Sequence, residues 1–135
     1  MIRAASEMDY PAVARIQAAV PEAAQWPLGD YSNFQVLVAL AGSEAAGFCA
    51  WRQTAVDEAE MLNLAVAPPH RGKGVGRALV RELRRVAAGT IFLEVAESNV
   101  AARALYEEAG WVEVARRKNY YNGAEDAIVM KNLSC

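Results

Sequence analysis

The chain has 135 residues, of which 54% are hydrophobic, and its formal net charge is −2. This length and apolar content favour one domain over residues 1–135 with one core, and they exclude a largely disordered chain. No apolar run reaches the roughly 18 residues of a membrane span, and the first residues lack the pattern of a secretion signal. We therefore expect a cytoplasmic protein without a membrane partner.

Metal and redox chemistry have few candidate side chains, because the chain has two cysteines and one histidine. Cys49 lies in an apolar run, Cys135 is the last residue and His70 follows two prolines. Isolated side chains of this kind form neither a disulfide framework nor a zinc motif. We expect no bound metal, and we interpret His70 as a loop residue rather than a catalyst.

The first half of the chain predicts a strand, a helix and a three-stranded meander. Ser6 and Pro11 are typical of the start of a helix, and Ala41-Gly42-Ser43-Glu44 is typical of a hairpin. The predicted elements are a strand over Ile2–Ala5, a helix from Ser6 to about Val20, a loop or short helix over 21–32, and strands over Gln35–Leu40, Ala45–Arg52 and Glu58–Val66.

The second half predicts two helices that alternate with strands. Gly89 is a helix stop, and Ser98 or Asn99 is a helix N-cap. The predicted elements are a helix from Gly74 to about Ala87, a strand over Thr90–Val95, a helix that ends before Gly110, and an antiparallel pair over Trp111–Arg117 and Ala127–Asn132. The whole pattern indicates an α+β fold, in which helices flank a mixed sheet.

A glycine-rich loop at 70–79 joins a predicted strand to a predicted helix. Glycines let the main chain approach an anion, and the first N–H groups of a helix are unpaired at the positive end of its dipole. A dinucleotide fingerprint would need glycine at Arg77, and a P-loop would need Gly-Lys-Ser/Thr. Residues 71–85 include six basic side chains and one acid, Glu82. This charge suits a polyanionic ligand, although a solvated helix face is the alternative.

Three polar residues after this helix could supply chemistry. Glu94 follows an apolar run, a position where we expect burial to perturb a carboxylate. Asn99 and Tyr106 are seven residues apart and would share one helix face. In acyl transfer from a thioester to an amine, a carboxylate could take a proton from the amine and a phenol could return one to the thiolate. A bulge near 63–65 could offer N–H groups to the oxyanion. The structural alternatives are a core tyrosine and an N-cap asparagine.

Several short segments stand in a familiar order. They are Asn63-Leu64-Ala65-Val66, Arg71-x-x-Gly74-x-Gly76, Leu93-Glu94-Val95, Ser98-Asn99 with Ala104-Leu105-Tyr106, Gly110-Trp111, and Asn119-Tyr120-Tyr121 followed by Glu125-Asp126-Ala127. Together they resemble the ribosomal-protein alanine N-acetyltransferase (RimI-type) branch of the GNAT superfamily. The resemblance covers Glu58 to Met130 well and the first 57 residues only loosely.

The resemblance implies a single-domain, mostly antiparallel mixed sheet with a splayed acyl-CoA cleft, and acetyl-CoA as co-substrate. It makes Glu94 the general base and Tyr106 the general acid, with Tyr120 and Tyr121 closing over the first residues of the substrate. The residues that it assigns to the cofactor are Leu64, Ala65, Val66, Arg71, Gly72, Lys73, Gly74, Val75, Gly76, Arg77 and Asn99.

The activity implied by the resemblance is acetylation of a protein N-terminus, such as the N-terminal alanine of a ribosomal protein. Two alternatives stay open: an acetyltransferase of lysine side chains or small amines, and a non-catalytic acyl-CoA-binding module. We expect direct transfer, because no Cys or Ser stands beside a histidine in a motif. We expect no direct nucleic-acid partner. The segment before Phe34 and the hairpin Asn122-Gly123-Ala124 are short for the family, so the substrate sequence stays open.

Overall fold

The computed structural model describes residues 1–121 and 125–133, and it shows a seven-stranded sheet with three α-helices. The strands are β1 Ile2–Ala4, β2 Gln35–Ala41, β3 Glu44–Ala55, β4 Glu58–Val66, β5 Thr90–Ala96, β6 Val112–Tyr121 and β7 Glu125–Leu133. The helices are α1 Tyr10–Ala18, α2 Val75–Val86 and α3 Val100–Glu108, with 3₁₀ turns at Glu7–Asp9, Leu28–Asn33 and Pro68–His70. The predicted α+β class is confirmed.

The start of the first helix differs from the predicted elements. We expected a helix from Ser6, whereas α1 begins at Tyr10 after a 3₁₀ turn. In that turn the Asp9 carboxylate accepts the Ser6 N–H at 2.8 Å and pairs with Arg3 at 2.7 Å. The side chain of Asp9 therefore caps the turn and binds it to β1.

The order of the strands in the sheet is β1-β2-β3-β4-β5-β7-β6. Of the described strand pairs only β4 and β5 are parallel, and α2 forms the crossover connection that a parallel pair needs. The predicted final pair, β6 and β7, is present. The sequence did not predict that β7 would also pair with β5 along its length and so separate β5 from β6.

Two apolar clusters cover the two faces of the sheet. On the α1 face, Val13 and Ile16 of α1 pack against Phe48 and Ala65 of the sheet. On the α2–α3 face, buried side chains of the two helices meet alternate residues of the central strands. This cluster includes Leu79, Val80, Leu83, Tyr106, Cys49, Met61, Ile91, Leu93, Val95 and Met130. α1 packs mainly on β3 and β4, and the cluster that it covers includes no described residue of β5 or β7.

The described residues lack two further features. None of their helices has the length and apolar character to cross a membrane. Within the same residues, no group of three or more His, Cys, Asp or Glu side chains is placed to hold a metal ion. Cys49 is a free, fully buried thiol, and this burial raises its pKa to about 12.

Candidate active site

The sheet opens between β4 and β5. The two strands pair only where Glu58–Glu60 meets Thr90–Phe92, and beyond these residues they have no common register. β4 nevertheless continues along β3, and β5 continues along β7. We call the gap between residues 61–66 of β4 and residues 93–96 of β5 the strand opening. Its two backbone edges can hydrogen-bond an extended group that enters between them.

A β-bulge lies at the start of the strand opening. The pairing of β3 with β4 skips Leu62, one residue before the predicted range of 63–65. Met61 packs in the cluster of the α2–α3 face, whereas Ala65 packs in the cluster of the α1 face. In a regular strand two residues four positions apart would share a face, so the bulge reverses the alternation. It thereby changes the direction of the backbone groups at the strand opening.

The glycine-rich loop leads from the strand opening into α2. Gly72 has a φ of +74° and Gly74 a φ of +80°, and a Cβ at either position would meet nothing within 4 Å. Glycine is therefore needed at these positions because of the backbone conformation, and not because a side chain would lack room. Gly74 is the N-cap of α2, so the first N–H groups of the helix emerge directly after the loop. Arg71 and Lys73 in this loop are exposed. This arrangement suits a phosphate ligand.

Gly76 serves helix packing as well as the loop. A Cβ at this position would lie 3.1 Å from Cδ2 of Leu105 in α3 and 3.6 Å from Cγ2 of Val66. The missing side chain therefore lets α2 approach α3 and β4 closely. Arg77, next in the chain, is exposed and pairs with Glu108 of α3 at 3.1 Å. The predicted cofactor role of Gly76 can concern only its backbone.

Glu94, the predicted base, lies on the α1 face of β5. Its neighbours Leu93 and Val95 are buried on the other face, as strand alternation requires. The Glu94 side chain is 29% exposed, and its Oε1 forms an ion pair with Nε of Arg117 at 2.9 Å. We expected burial, and that expectation is wrong, because the strand opening lies beside Glu94 and no described helix covers it. An open pocket of about 320 Å³ lies there, lined by Glu58, Ala59, Glu60, Phe92, Leu93, Glu94, Arg117 and Val129.

Tyr106, the predicted acid, is only 5% exposed and lies on the α2–α3 face. Its ring centroid is 5.9 Å from that of Trp111. Burial, with a smaller contribution from Cys49, raises the pKa of the phenol above its ordinary value. Cys49 is the register partner of Leu64, which places Tyr106 near β4 at the strand opening. Tyr106 and Glu94 therefore do not share one side of a cleft: they lie on opposite faces of the sheet.

Asn99 occupies the position before α3 rather than a turn inside it. Its Oδ1 accepts the N–H of Ala102 at 3.3 Å, which makes Asn99 the N-cap. The predicted common helix face with Tyr106 is therefore wrong, because the backbone of Asn99 is not helical. The cap uses the oxygen of the carboxamide, so any contact with a cofactor would come from its NH2 group.

Tyr120 lies in a bulge near the end of β6. Between the register pairs Arg117 with Ala127 and Tyr121 with Glu125, β6 has three residues where β7 has one. The exposed Tyr120 ring faces the guanidinium of Arg117, with 5.4 Å from Cζ to the ring centroid. The Tyr121 backbone ends β6, and its side chain, like the predicted hairpin 122–124, lies outside what the structure describes.

Asn63 is a buried polar residue that the sequence analysis did not assign to a contact. Its Oδ1 accepts the N–H of Ala24 at 3.2 Å, and its Nδ2 donates to the carbonyl of Ala24 at 2.9 Å. This pair fixes the segment after α1 against β4 beside the strand opening. The sequence signal for this contact was a single asparagine within an apolar strand, because a buried side-chain amide needs polar partners.

The site thus combines a parallel strand pair that opens, a glycine loop that suits a phosphate, and a carboxylate and a phenol on opposite faces of the sheet. A sequence profile described as the Acetyltransferase (GNAT) family matches residues 3–111. The chain belongs to this family and is an acetyltransferase.

Individual relatives agree with this family. The [Ribosomal protein bS18]-alanine N-acetyltransferase of Escherichia coli K12 is 43% identical over 107 residues, which are 74% of this chain and 70% of that protein. The protein of the same name from Salmonella typhimurium is 36% identical over 135 residues, 93% of this chain and 91% of its own. The crystal structure of the Escherichia coli ribosomal-protein-S18-alanine N-acetyltransferase superposes with a TM-score of 0.83 at 32% identity, covering 97% of this chain and 91% of that one. The resemblance to the RimI-type branch is confirmed.

Proposed function

We propose that this chain is an acetyl-CoA-dependent N-terminal acetyltransferase that acetylates the α-amine of the N-terminal alanine of a ribosomal protein. The relatives at 43% and 36% identity carry this activity in their names. The observation that carries the proposal is the strand opening with Glu94 on its α1 face. A carboxylate beside a gap between two strands can meet an amine on one face of the sheet while a thioester enters from the other.

Acetyl-CoA would bind along β4 and the start of α2. Backbone N–H groups of residues 72–77 would cradle its pyrophosphate, with the charges of Arg71, Lys73 and Arg77 nearby. The free edge of β4 over 64–66 would pair with the extended pantetheine arm in the way that an added strand pairs with a sheet edge. Asn99, at the N-terminal end of α3, would contact the cofactor through its NH2 group.

Deprotonation of the amine and stabilisation of the leaving sulfur would then occur on different faces of the sheet. Glu94 takes the proton of the incoming amine, directly or through a water, as the nitrogen attacks the thioester carbonyl. Backbone N–H groups near the Leu62 bulge hold the oxyanion. The C–S bond breaks when the tetrahedral intermediate collapses, the Tyr106 hydroxyl donates a hydrogen bond to the leaving thiolate, and the thiolate takes its proton from solvent. The products are an N-acetyl amide and free CoA.

A single exposed carboxylate is a sufficient base for an α-amine. The reference pKa of an α-amine is near 8, against about 10.4 for a lysine side chain. At pH 7 roughly 10% of an α-amine is already neutral, against about 0.04% of a lysine. The α-amine therefore needs much less assistance from the enzyme to lose its proton.

Tyr120, exposed near Glu94, and Tyr121 would close over the first residues of the peptide.

The test is a competition between the two kinds of amine on one peptide. An alanine-starting peptide with an internal lysine is incubated with acetyl-CoA, and tandem mass spectrometry locates the acetyl group. The matched control is the same peptide with a blocked N-terminus, and a series with other first residues measures the preference for alanine. We expect acetylation at the α-amine of the free peptide alone. Equal modification of lysine in the blocked peptide would overturn the proposal in favour of a lysine or small-amine acetyltransferase.

A further inference from the structure

Arg117 connects the two groups that the proposed function places on the substrate side of the sheet. Its Nε forms an ion pair with Oε1 of Glu94 at 2.9 Å, and its Cζ lies 5.4 Å from the centroid of the Tyr120 ring. We propose that Arg117 is a positioning residue for acetyl transfer, which fixes the direction of the Glu94 carboxylate and links it to Tyr120. This inference rests on the proposed function, in which Glu94 is the base.

The strand order brings Arg117 to Glu94 across an intervening strand. Glu94 is the register partner of Val129, and Arg117 is the register partner of Ala127 two residues earlier in β7. Paired residues of neighbouring strands share a face, and so do residues two apart in one strand. All four side chains therefore lie on the α1 face. The long side chain of Arg117 passes over β7 to reach the carboxylate on β5.

A bulge held by Asp126 brings Tyr120 to the same place. In a regular strand Arg117 and Tyr120, three residues apart, would point to opposite faces. Asn119 between them has a left-handed φ of 52°, and its N–H donates to Oδ1 of Asp126 at 3.0 Å. The bulge thus lets the aromatic ring turn back over the guanidinium. Arg117 is held from two sides, by a carboxylate and by an aromatic face.

The other carboxylates of the pocket have different partners. Glu60 pairs with Arg52 at 3.5 Å, and Oε2 of Glu58 accepts from the hydroxyl of Thr54 at 3.1 Å. The charge of Arg117 is therefore directed to Glu94 and not shared over the pocket. The ion pair uses Oε1 of Glu94, and a carboxylate has a second oxygen that can accept the proton of the amine.

Fixing Glu94 matters because the side chain is partly exposed and lies beside a gap in the sheet. A free glutamate divides its time among several rotamers, and only some of them direct the carboxylate at the strand opening. A base that is held in the productive rotamer can react without first changing its conformation. Arg117 acts on the reaction through Glu94 and need not touch the amine itself.

The test is a double-mutant cycle on kcat with an alanine-starting peptide. We expect Arg117→Gln to lower kcat by about 10-fold, the order of effect for a misdirected catalytic group, with the Kd for acetyl-CoA unchanged. Arg117→Lys should restore most of the rate, because a lysine can also form an ion pair with Glu94. In the Glu94→Gln background the Arg117→Gln change should cause no further loss, because its effect passes through the missing carboxylate.

Lys118→Gln is the matched control. It removes the same charge one residue further along, where the exposed ammonium lies 3.8 Å from Asp126 rather than near Glu94. We expect its kcat to match that of the parent enzyme. If the Arg117→Gln and Glu94→Gln losses multiply, or if Arg117→Gln leaves kcat unchanged, the positioning role is overturned. Full activity of Glu94→Gln alone is a different result, since it would remove Glu94 as the base and with it this part of the proposed function.

Discussion

The two ends of the β4–β5 pair differ in what holds them. At the closed end, Glu58–Glu60 pairs with Thr90–Phe92, and the N–H of Thr90 donates to the carbonyl of Asp57 at 2.9 Å. The side chain of Gln53 adds hydrogen bonds to the carbonyls of Glu58 and Ala88 at 2.8 and 2.7 Å. At the open end, the same two strands separate and leave the strand opening.

This difference separates stability from chemistry along a single pair of strands. The closed end satisfies its backbone groups within the chain, so changes there should reduce the free energy of unfolding. At the open end the facing edges of β4 and β5 do not pair with each other and are available to a ligand, so changes there should reduce binding or turnover instead. Variants at the two ends are therefore expected to have separable effects, and each prediction below tests that separation.

The largest effect is expected at the closed end, from Gly89→Ala. Gly89 has a φ of +80°, and a Cβ there would lie 1.8 Å from the carbonyl oxygen of Asp57, so the backbone itself must move. We expect the free energy of unfolding to fall by at least about 4 kcal/mol, measured by urea denaturation.

Gly29→Ala is the control for that change, because a Cβ at Gly29 would meet nothing within 4 Å. It should alter the free energy of unfolding by less than about 0.5 kcal/mol. A stable Gly89→Ala protein would mean that the closed end is not what holds β4 and β5 together.

At the open end, Glu94→Gln should lower turnover by roughly 10²-fold, or about 2.7 kcal/mol, the lower range for loss of a positioned base. Stability and the Kd for acetyl-CoA should stay near the parent values. Glu60→Gln removes a charge from the same pocket and is the control that should keep its turnover. Equal losses in both variants would assign the effect to the charge of the pocket rather than to proton transfer.

Most of the elements could be predicted from the sequence, because their signals are local. The turn at Gly42, the whole of β4 over Glu58–Val66 and the start of α2 after Gly74 all follow from neighbouring residues. The insertion of β7 between β5 and β6 could not be predicted, because strand order depends on pairing between distant segments. The opening of β4 from β5 followed only from the resemblance to a family.

The site shows the same division. Glu94 could be selected from its place after an apolar run, but its exposure could not, because exposure depends on the strand opening. The sequence around Arg117 is typical of an exposed arginine in a strand. Its contact with Glu94 exists only because β7 lies between their two strands, so no local pattern indicates it. Asn99 was predicted in two roles, and the N-cap role is the one that the hydrogen bonds show.

An intermediate effect is expected from Gly74→Val in the loop. Its φ of +80° is a left-handed conformation that a β-branched residue disfavours. The distorted loop should weaken acetyl-CoA binding about 10-fold, the equivalent of roughly 1.4 kcal/mol of backbone strain, measured by titration calorimetry. Gly42→Val is the matched control, since Gly42 has a φ of +63° and also has open space around it, but lies in the β2–β3 turn. Equal affinities in the two variants would make the loop only a turn.

The smallest change in turnover is expected from Tyr106→Phe. Burial raises the pKa of this phenol above its ordinary value near 10, whereas a free thiol has a reference pKa of about 8.5. Complete proton transfer from Tyr106 to a thiolate is therefore unfavourable, and we expect a hydrogen bond to the leaving sulfur instead. Loss of one such bond, about 1 kcal/mol, should lower kcat about 5-fold. A loss as large as that of Glu94→Gln would show full proton transfer.

Alkaline pH provides the control for this buried phenol. Because its folded-state pKa is raised, Tyr106 keeps its proton above pH 10 while the unfolded chain loses it, so the free energy of unfolding should decline as the pH rises above about 10. Tyr31 is also buried, with its pKa raised to about 12, and should contribute to the same decline. Urea denaturation between about pH 8 and 11 should therefore show a shallower decline in both Tyr106→Phe and Tyr31→Phe. Only Tyr106→Phe should lower kcat, because Tyr31 packs under α1 and its hydroxyl donates to Gln17 of that helix.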